Sequence, residues 1–239
     1  GYVGEAPATT AVANGMVRVK VLAQVNTEGS AIVVDKDSST STILDLRGKT
    51  VAVPGYSTVQ DFLLQKAVAK WGLKQKDVGI TVLKPPEMIG ALRTGQIDAF
   101  IAWEPYPAKA QTMGVGKVLL YSRDIWKDHP CCALVVSEAF LEKRRKDAIA
   151  VIKAHTQATD FINQNPEEAI AIGVKYTGMD ERTVRLALKS VNYTYHLSVE
   201  GEREYVKFLT SLKYIKVNDP DVFVKNFIDQ SVLKEALAK

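Results

Sequence analysis

The hydrophobic positions of this chain change their spacing along its length. Val17, Val19 and Val21 alternate with polar residues, which predicts a strand over 17–25. Other short apolar runs predict strands at 29–34, 51–53, 78–83, 99–102, 118–121 and 133–136. Helical spacing between them predicts helices at 8–14, 57–71, 87–94 and 107–113. Strands that alternate with helices indicate an α/β fold with a largely parallel sheet.

The second half of the chain follows a different pattern, because from Ser137 onward the spacing predicts helices only. No linker separates this helical part from the strand-rich part, so we interpret the chain as two α/β lobes. Lobe I takes 1–30 and 135–239, and lobe II takes 31–134. The apolar segments 31–34 and 133–136 would lie side by side as the two strands of a hinge.

Two loops that follow strands carry the candidate binding chemistry. The run Val51–Val53 ends in the turn 54–56, and Ser57 and Thr58 begin the next helix. Such a helix start offers free N–H groups and hydroxyls to an anion. The loop 103–106 follows another strand and adds a carboxylate and two aromatic rings. Because ligands bind outside the carboxyl ends of strands in open α/β sheets, we expect both loops to face one pocket.

Composition and charge exclude several classes of function. A hydrophobic content of 46% with 24% charged residues is typical of a globular protein. The net charge is +4, but basic and acidic residues interleave and the one basic cluster is 143–146, so we expect no nucleic-acid partner. No apolar run reaches the length of a membrane span. The 3 histidines are scattered, so we expect no metal site and no cofactor.

Several segments match a known family in their order and spacing. They are GEAP (4–7), DLRGKTVAVP (45–54), ST (57–58), AKWGL (69–73), LKPPEMI (83–89), GQIDA (95–99) and WEPY (103–106). On these segments the chain resembles the solute-binding proteins of ABC importers, in the branch for taurine and other alkanesulfonates, nitrate, bicarbonate, and thiamine or riboflavin precursors. The resemblance implies a periplasmic-binding-protein type 2 fold, with two three-layer α/β/α lobes joined by a two-strand hinge, and no catalysis.

The resemblance also implies features outside the ligand site. Family members carry a strand, a helix and a second strand before a segment like 1–4, so we expect lobe I to be incomplete, without its N-terminal strand and helix. The exposed edge of that sheet would permit a dimer. The expected partners are a small anion or zwitterion and the membrane permease of an ABC importer. The expected location is the periplasm or the extracellular face of the membrane, with a lipid anchor as an option for the full-length protein.

The loops and the resemblance together give the ligand-binding candidates. These are Glu5, Ser30, Tyr56, Ser57, Thr58, Trp103 and Glu104. Ser57 and Thr58 could also serve only as helix caps, and Glu5 only as a capping carboxylate. If Glu104 pairs with an ammonium group while the helix start holds an acid group, a zwitterion such as taurine fits better than nitrate.

A different class of function is suggested by the run His129-Pro130-Cys131-Cys132. A thiolate near a histidine can act as a nucleophile. The resemblance includes two enzymes of the same fold, the pyrimidine synthase of thiamine biosynthesis and a sulfinate desulfinase. We favour a binding protein, because the chain has only 2 cysteines. One of the two must also point into the lobe as a small apolar side chain.

Overall fold

The computed structural model describes residues 1–238. Its strands are β1 (Tyr2–Gly4), β2 (Val19–Glu28), β3 (Ser30–Asp35), β4 (Thr50–Val53), β5 (Gly79–Val82), β6 (Ala99–Trp103), β7 (Gly116–Tyr121), β8 (Pro130–Ser137) and β9 (Val191–Tyr193). Its helices are α1 (Glu5–Ala13), α2 (Val59–Lys70), α3 (Pro85–Arg93), α4 (Tyr106–Thr112), α5 (Ser122–Ile125), α6 (Glu138–Lys143), α7 (Arg145–Gln164), α8 (Pro166–Thr177), α9 (Glu181–Leu188), α10 (Val199–Ser211), α11 (Pro220–Phe227) and α12 (Gln230–Leu237).

The chain divides into two compact units. Unit 1 contains Gly1–Thr27, His129–Ala169 and the residues from Tyr193 to the end of the described chain. Unit 2 contains Glu28–Asp128 and Ile170–Asn192. The predicted division placed the whole of 135–239 in lobe I, whereas Ile170–Asn192 belongs to unit 2. In that segment α9 packs on α4, and the Thr183 and Thr112 hydroxyl oxygens lie 2.6 Å apart.

Unit 2 is built on a five-stranded sheet in the order β5-β4-β6-β3-β7. Strand β4 runs parallel to β5 and β6, and β3 runs antiparallel to β6 and β7. The buried residues Val33, Ala52 and Phe100 of the sheet form a core with Met88 and Leu92 of α3. These apolar runs are buried because helices cover the sheet, as expected for strands without polar alternation.

The second sheet has four strands in the order β1-β8-β2-β9, of which β1, β8 and nearly all of β2 belong to unit 1. Strand β8 is antiparallel to both β1 and β2. Leu22 of β2 and Leu134 of β8 pack against Ile152 of α7 and Val232 of α12. The amphipathic helices α7 and α12 therefore supply the core of this unit with their apolar faces.

Three predictions of strand arrangement were wrong. The sheets are not largely parallel, since pairing within unit 1 includes two antiparallel ladders and β3 reverses direction in unit 2. The segments 31–34 and 133–136 do not lie side by side, because β3 pairs with β6 and β7 while β8 pairs with β1 and β2. The region after Ser137 is not purely helical, because it contains β9.

Candidate functional site

One edge of the unit 2 sheet collects both candidate loops. Strands β4 and β6 are parallel neighbours, with Val51 opposite Ala99, so their carboxyl ends share an edge. Ser30, the first residue of the antiparallel strand β3, lies opposite Trp103 at the same edge. This register confirms that the two strands end at one edge, and the shared pocket stays a prediction.

The start of α2 is stabilised by reciprocal side-chain caps. Thr58 is the N-cap, and its hydroxyl oxygen accepts the Asp61 N–H at 3.2 Å and donates to the Gly55 carbonyl at 2.7 Å. The Asp61 carboxylate accepts the Ser57 N–H at 2.9 Å. Asp61 was not among the predicted site residues, although Thr58-x-x-Asp61 is the spacing of a capping box.

The caps use the N–H groups of Ser57 and Asp61, and the other N–H groups at the start of α2 remain as candidate donors to a ligand. The N–H groups of a first helical turn have no partner within the helix. The buried carboxylate of Asp61 offsets part of the positive end of the helix dipole. Ser57 is half-buried with a left-handed backbone, φ 61°, and carries the hydroxyl that precedes the helix. The arrangement can bind an anion through N–H groups and the Ser57 hydroxyl, without a positively charged side chain, whereas the Thr58 hydroxyl already donates to Gly55.

Two aromatic rings stand beside this helix start at the sheet edge. Tyr56 is 60% exposed and Trp103 is 38% exposed. The Trp103 ring contacts Tyr106 edge-on, with ring centroids 6.3 Å apart. Exposed rings of this size at a strand end offer apolar surface to the hydrocarbon part of a ligand.

The carboxyl of Glu104 is engaged inside unit 2. One oxygen accepts the Ala108 N–H at 2.9 Å, and the other accepts the Ser190 hydroxyl at 2.9 Å. Burial raises the pKa of Glu104 to about 7, against the lowering effect of these two hydrogen bonds. Glu104 thus caps α4 and links it to the residue two positions after α9.

Two substitutions distinguish the capping role of Glu104 from an effect of its charge. We expect Glu104→Ala to lower the free energy of unfolding by about 1.5 kcal/mol, because Ala108 and Ser190 lose a buried partner. Glu104→Gln should stay close to the native stability, since an amide can accept from Ala108 and donate to Ser190. Urea unfolding of the two variants measures the difference. Equal stability of both variants would contradict the capping role.

Two of the predicted ligand contacts are buried. Ser30 is 1% exposed, and its hydroxyl oxygen accepts from the Gln60 amide at 3.0 Å. The Ser30 N–H donates to the Ser122 hydroxyl oxygen at 3.2 Å. Glu5 is fully buried and lies in unit 1. At the sheet edge of unit 2 the structure therefore combines Tyr56 and Trp103 with the start of α2, while Ser30 and Glu5 face protein.

Unit 1 contains a buried pair of carboxyls, Glu5 and Glu202. The Gln24 amide donates to Glu5 and the Thr9 hydroxyl donates to Glu202, each at 2.7 Å. The second oxygen of each carboxyl has no donor among the other residues of 1–238, and the two carboxyls can bond to each other only through a proton. Burial raises the pKa of Glu5 to about 7 and the pKa of Glu202 well above its ordinary value.

The two cysteines are free thiols in unit 1. Cys131 is 3% exposed, as predicted for the one that points into the lobe, and Cys132 is half-buried. Their sulfur atoms lie 3.9 Å apart. The hydrogen bond between them raises the pKa of Cys131, which burial raises further, and lowers the pKa of Cys132.

Two features are absent from the part of the chain that the structure describes. Within residues 1–238, no three histidine, cysteine or acidic side chains are grouped so that they could hold a metal ion. No helix in the same range has both the length and the apolar content that crossing a membrane requires.

Comparison with known proteins gives the family. The family model described as NMT1-like matches residues 1–174. The chain belongs to the NMT1-like family. This NMT1-like chain is 30% identical over 195 residues to a putative binding protein of Brucella abortus (strain 2308), an alignment that covers 80% of the chain and 59% of the relative.

Two other relatives extend the comparison. A putative aliphatic sulfonates-binding protein of Bacillus subtilis (strain 168) is 27% identical over 240 residues, covering 98% of the NMT1-like chain and 71% of the relative. The nitrate import ATP-binding protein NrtC of Synechocystis (strain PCC 6803) is 28% identical over 146 residues, which are 56% of the chain and 22% of the relative. The chain thus spans well under two thirds of the Brucella and Synechocystis proteins.

Solved structures confirm the periplasmic-binding-protein fold. The ligand-binding component of an ABC-type import system from Staphylococcus aureus superposes with a TM-score of 0.87 at 19% identity, covering 98% of the chain and 79% of that protein. The alkanesulfonate-binding protein SsuA of Xanthomonas axonopodis pv. citri, bound to MOPS, gives 0.81 at 20%, covering 96% and 80%. The desulfurization enzyme DSZB gives 0.74 at 13%, covering 99% and 84%. At these identities the likeness shows the fold alone.

Proposed function

We propose that this chain is the solute-binding part of an extracytoplasmic receptor for an ABC importer, and that its ligand is an alkanesulfonate. The observation that supports the proposal is the edge of the unit 2 sheet, where the start of α2 and the exposed rings of Tyr56 and Trp103 meet. The names of the Bacillus and Xanthomonas relatives, which refer to sulfonates, agree with this ligand class.

The helix start at this edge suits the sulfonate end of such a ligand, and the aromatic rings suit its hydrocarbon end. A sulfonate carries three oxygens that accept hydrogen bonds from N–H groups at a helix start. Its hydrocarbon part can pack on the rings of Tyr56 and Trp103. Nitrate, another ligand of the branch that the chain resembles, has no apolar part and would leave both rings unused.

The environment of Glu104 bears on the choice between taurine and a simple alkanesulfonate. Its carboxyl is held by Ala108 and Ser190, and burial brings its pKa to about 7. At neutral pH it is therefore ionised in only part of the molecules, and its oxygens are directed at protein donors. This favours an alkanesulfonate without an amino group over the zwitterion suggested by the sequence.

The aromatic contact gives the main test of the ligand class. We expect Tyr56→Ala to weaken binding of hexanesulfonate at least tenfold, about 1.4 kcal/mol, and to weaken binding of methanesulfonate much less. Isothermal titration calorimetry measures both affinities. Tyr176→Ala is the matched control, because Tyr176 is a 79% exposed tyrosine on α8 and is not part of either candidate loop.

Two results would overturn the proposed ligand class. One is tight binding of nitrate with no heat from any sulfonate. The other is the same loss of hexanesulfonate affinity in Tyr56→Ala and Tyr176→Ala. Taurine and ethanesulfonate compared on Glu104→Gln decide the role of the ammonium group, since a selective loss of taurine binding would show that Glu104 pairs with it.

The proposal extends to the protein partners of the receptor and to its location. Bound ligand would favour the form of the receptor that docks on a membrane permease. The location would then be the periplasm or the outer face of the membrane. A dimer through β1, at the edge of the unit 1 sheet, would show as a concentration-dependent mass in light scattering.

An enzyme that uses Cys131 and Cys132 is the second candidate. The lowered pKa of Cys132 and the fold shared with DSZB favour it. The Brucella and Bacillus relatives are named as binding proteins, which supports the receptor. Loss of thiol labelling on addition of an aryl sulfinate, with sulfite release, would favour the enzyme.

A further inference from the structure

Strand β8 is irregular where it carries the two cysteines. Its register with β2 pairs Ala133 with Gln24, Cys132 with Asn26, and Pro130 with Thr27, with shifts between successive pairs. In a regular strand adjacent side chains point to opposite faces. A bulge turns a side chain away from that alternation. Here the two thiols come within 3.9 Å of each other.

The sulfur separation fits two bonds to a single soft atom. Two sulfurs bonded at about 2.3 Å to one atom lie about 3.3 Å apart at the bond angle of a pyramidal trivalent metalloid and about 3.8 Å apart at a tetrahedral ion, so a small rotation of the side chains suffices. Thiolates are the ligands that soft ions and metalloids select. Within residues 1–238, no third histidine, cysteine or acidic side chain joins the two thiols to form a metal-binding group. An atom bound here would therefore have two sulfurs as its only protein ligands.

We propose that Cys131 and Cys132 form a bidentate site for a thiophilic metalloid, a monosubstituted trivalent arsenical. Such an arsenic atom carries one organic group and takes two sulfur ligands, so it needs no further residue. The site lies wholly in unit 1, and it does not depend on the ligand proposed for the unit 2 sheet edge.

The reaction requires no oxidant or reductant. Cys132 is the half-exposed thiol, and its interaction with Cys131 lowers its pKa, so Cys132 attacks arsenic first. The Cys131 sulfur then forms the second arsenic–sulfur bond. For an arsenoxide, two S–H bonds and the arsenic–oxygen bonds are exchanged for two arsenic–sulfur bonds and one water. Both thiol protons leave in that water, and arsenic stays trivalent.

Phenylarsine oxide is the probe for this site. Intact-mass measurement of the native chain should show the mass of one phenylarsine oxide added, less one water. Thiol titration in denaturant should then find neither cysteine free. A dithiol such as 2,3-dimercaptopropanol should reverse the adduct, and an equal concentration of thiol groups as 2-mercaptoethanol should not. Absence of the adduct, or its reversal by the monothiol, would overturn the proposal.

Single-cysteine variants provide the second measurement. Cys131→Ala and Cys132→Ala should each lower the concentration of 2-mercaptoethanol that removes the arsenical by at least tenfold, because one arsenic–sulfur bond remains. Circular dichroism confirms that each variant is folded. Should Cys131→Ala hold the arsenical as firmly as the native chain, the two sulfurs do not act together. The native-chain experiment decides the matter if either variant fails to fold.

Discussion

Between pH 5 and pH 8 the native chain should lose about 3 kcal/mol more stability than a Glu202→Gln protein. Burial raises the pKa of Glu5 from its ordinary value to about 7 and that of Glu202 well above its own. The folded state then holds protons that the unfolded state has released. Its stability is present in full below about pH 4.5 and falls as pH rises through 7.

The two proteins should differ because no neighbouring group in the described part of the chain donates a hydrogen bond between the Glu5 and Glu202 carboxyls, so in the native chain a bound proton must do so. In Glu202→Gln an amide N–H can donate to Glu5 without a bound proton, and the amide oxygen can still accept from Thr9. Urea unfolding followed by tryptophan fluorescence at both pH values measures the change. The difference between variant and native chain removes the contribution of Glu104, which also titrates near pH 7.

A second substitution at Glu202 provides the control. Glu202→Ala removes the same ionisable group but leaves Thr9 and Glu5 without a partner, so we expect lower stability at both pH values. If Glu202→Gln loses stability between pH 5 and pH 8 as steeply as the native chain, the two glutamates do not share a proton.

Gly201→Ala should lower the free energy of unfolding by about 3 kcal/mol. Gly201 lies near the start of α10, against β8, where an added Cβ would come 2.6 Å from Pro130 Cδ and 2.6 Å from the Ser198 hydroxyl oxygen. The proline ring cannot rotate away, and Ser198 is the N-cap that accepts the Gly201 N–H. Overpacking and a lost cap therefore act together.

Gly90→Ala is the matched control for this prediction. Gly90 is an exposed helical glycine in α3, and a Cβ there meets no atom within 4 Å. Alanine at such a position should stabilise the protein by about 0.5–1 kcal/mol, because glycine is less favourable in a helix. Thermal and urea unfolding of both variants provide the comparison. A Gly201→Ala protein as stable as the Gly90→Ala protein would show that β8 yields to the added methyl group.

The sequence predicted the parts of the site that depend on local pattern. The apolar runs of β4 and β6, each followed by a loop, were sufficient to expect both loops at one sheet edge. The spacing Thr58-x-x-Asp61 also contained the cap of α2, which the prediction overlooked. The strand-to-loop pattern and the capping spacing are both local, because each lies within a few residues of the structural feature that it predicts.

The features that could not be predicted depend on distant segments. Glu5 and Glu202 meet only because α1 packs on α10, and neither residue carries a local mark of that contact. Strand β9 has 3 residues, too few to show an alternation. The placement of Ile170–Asn192 in unit 2 follows from the packing of α9 on α4, which amphipathic spacing alone does not assign to either unit.

The backbone of Ser57 has a consequence for any attempt to redesign this protein. A left-handed conformation costs a non-glycine residue about 1 kcal/mol, which glycine would not incur. Optimising this loop for thermal resistance alone would therefore select glycine at position 57 and discard the hydroxyl. Under the proposed sulfonate site, heat tolerance and ligand recognition would make opposite demands on that single position.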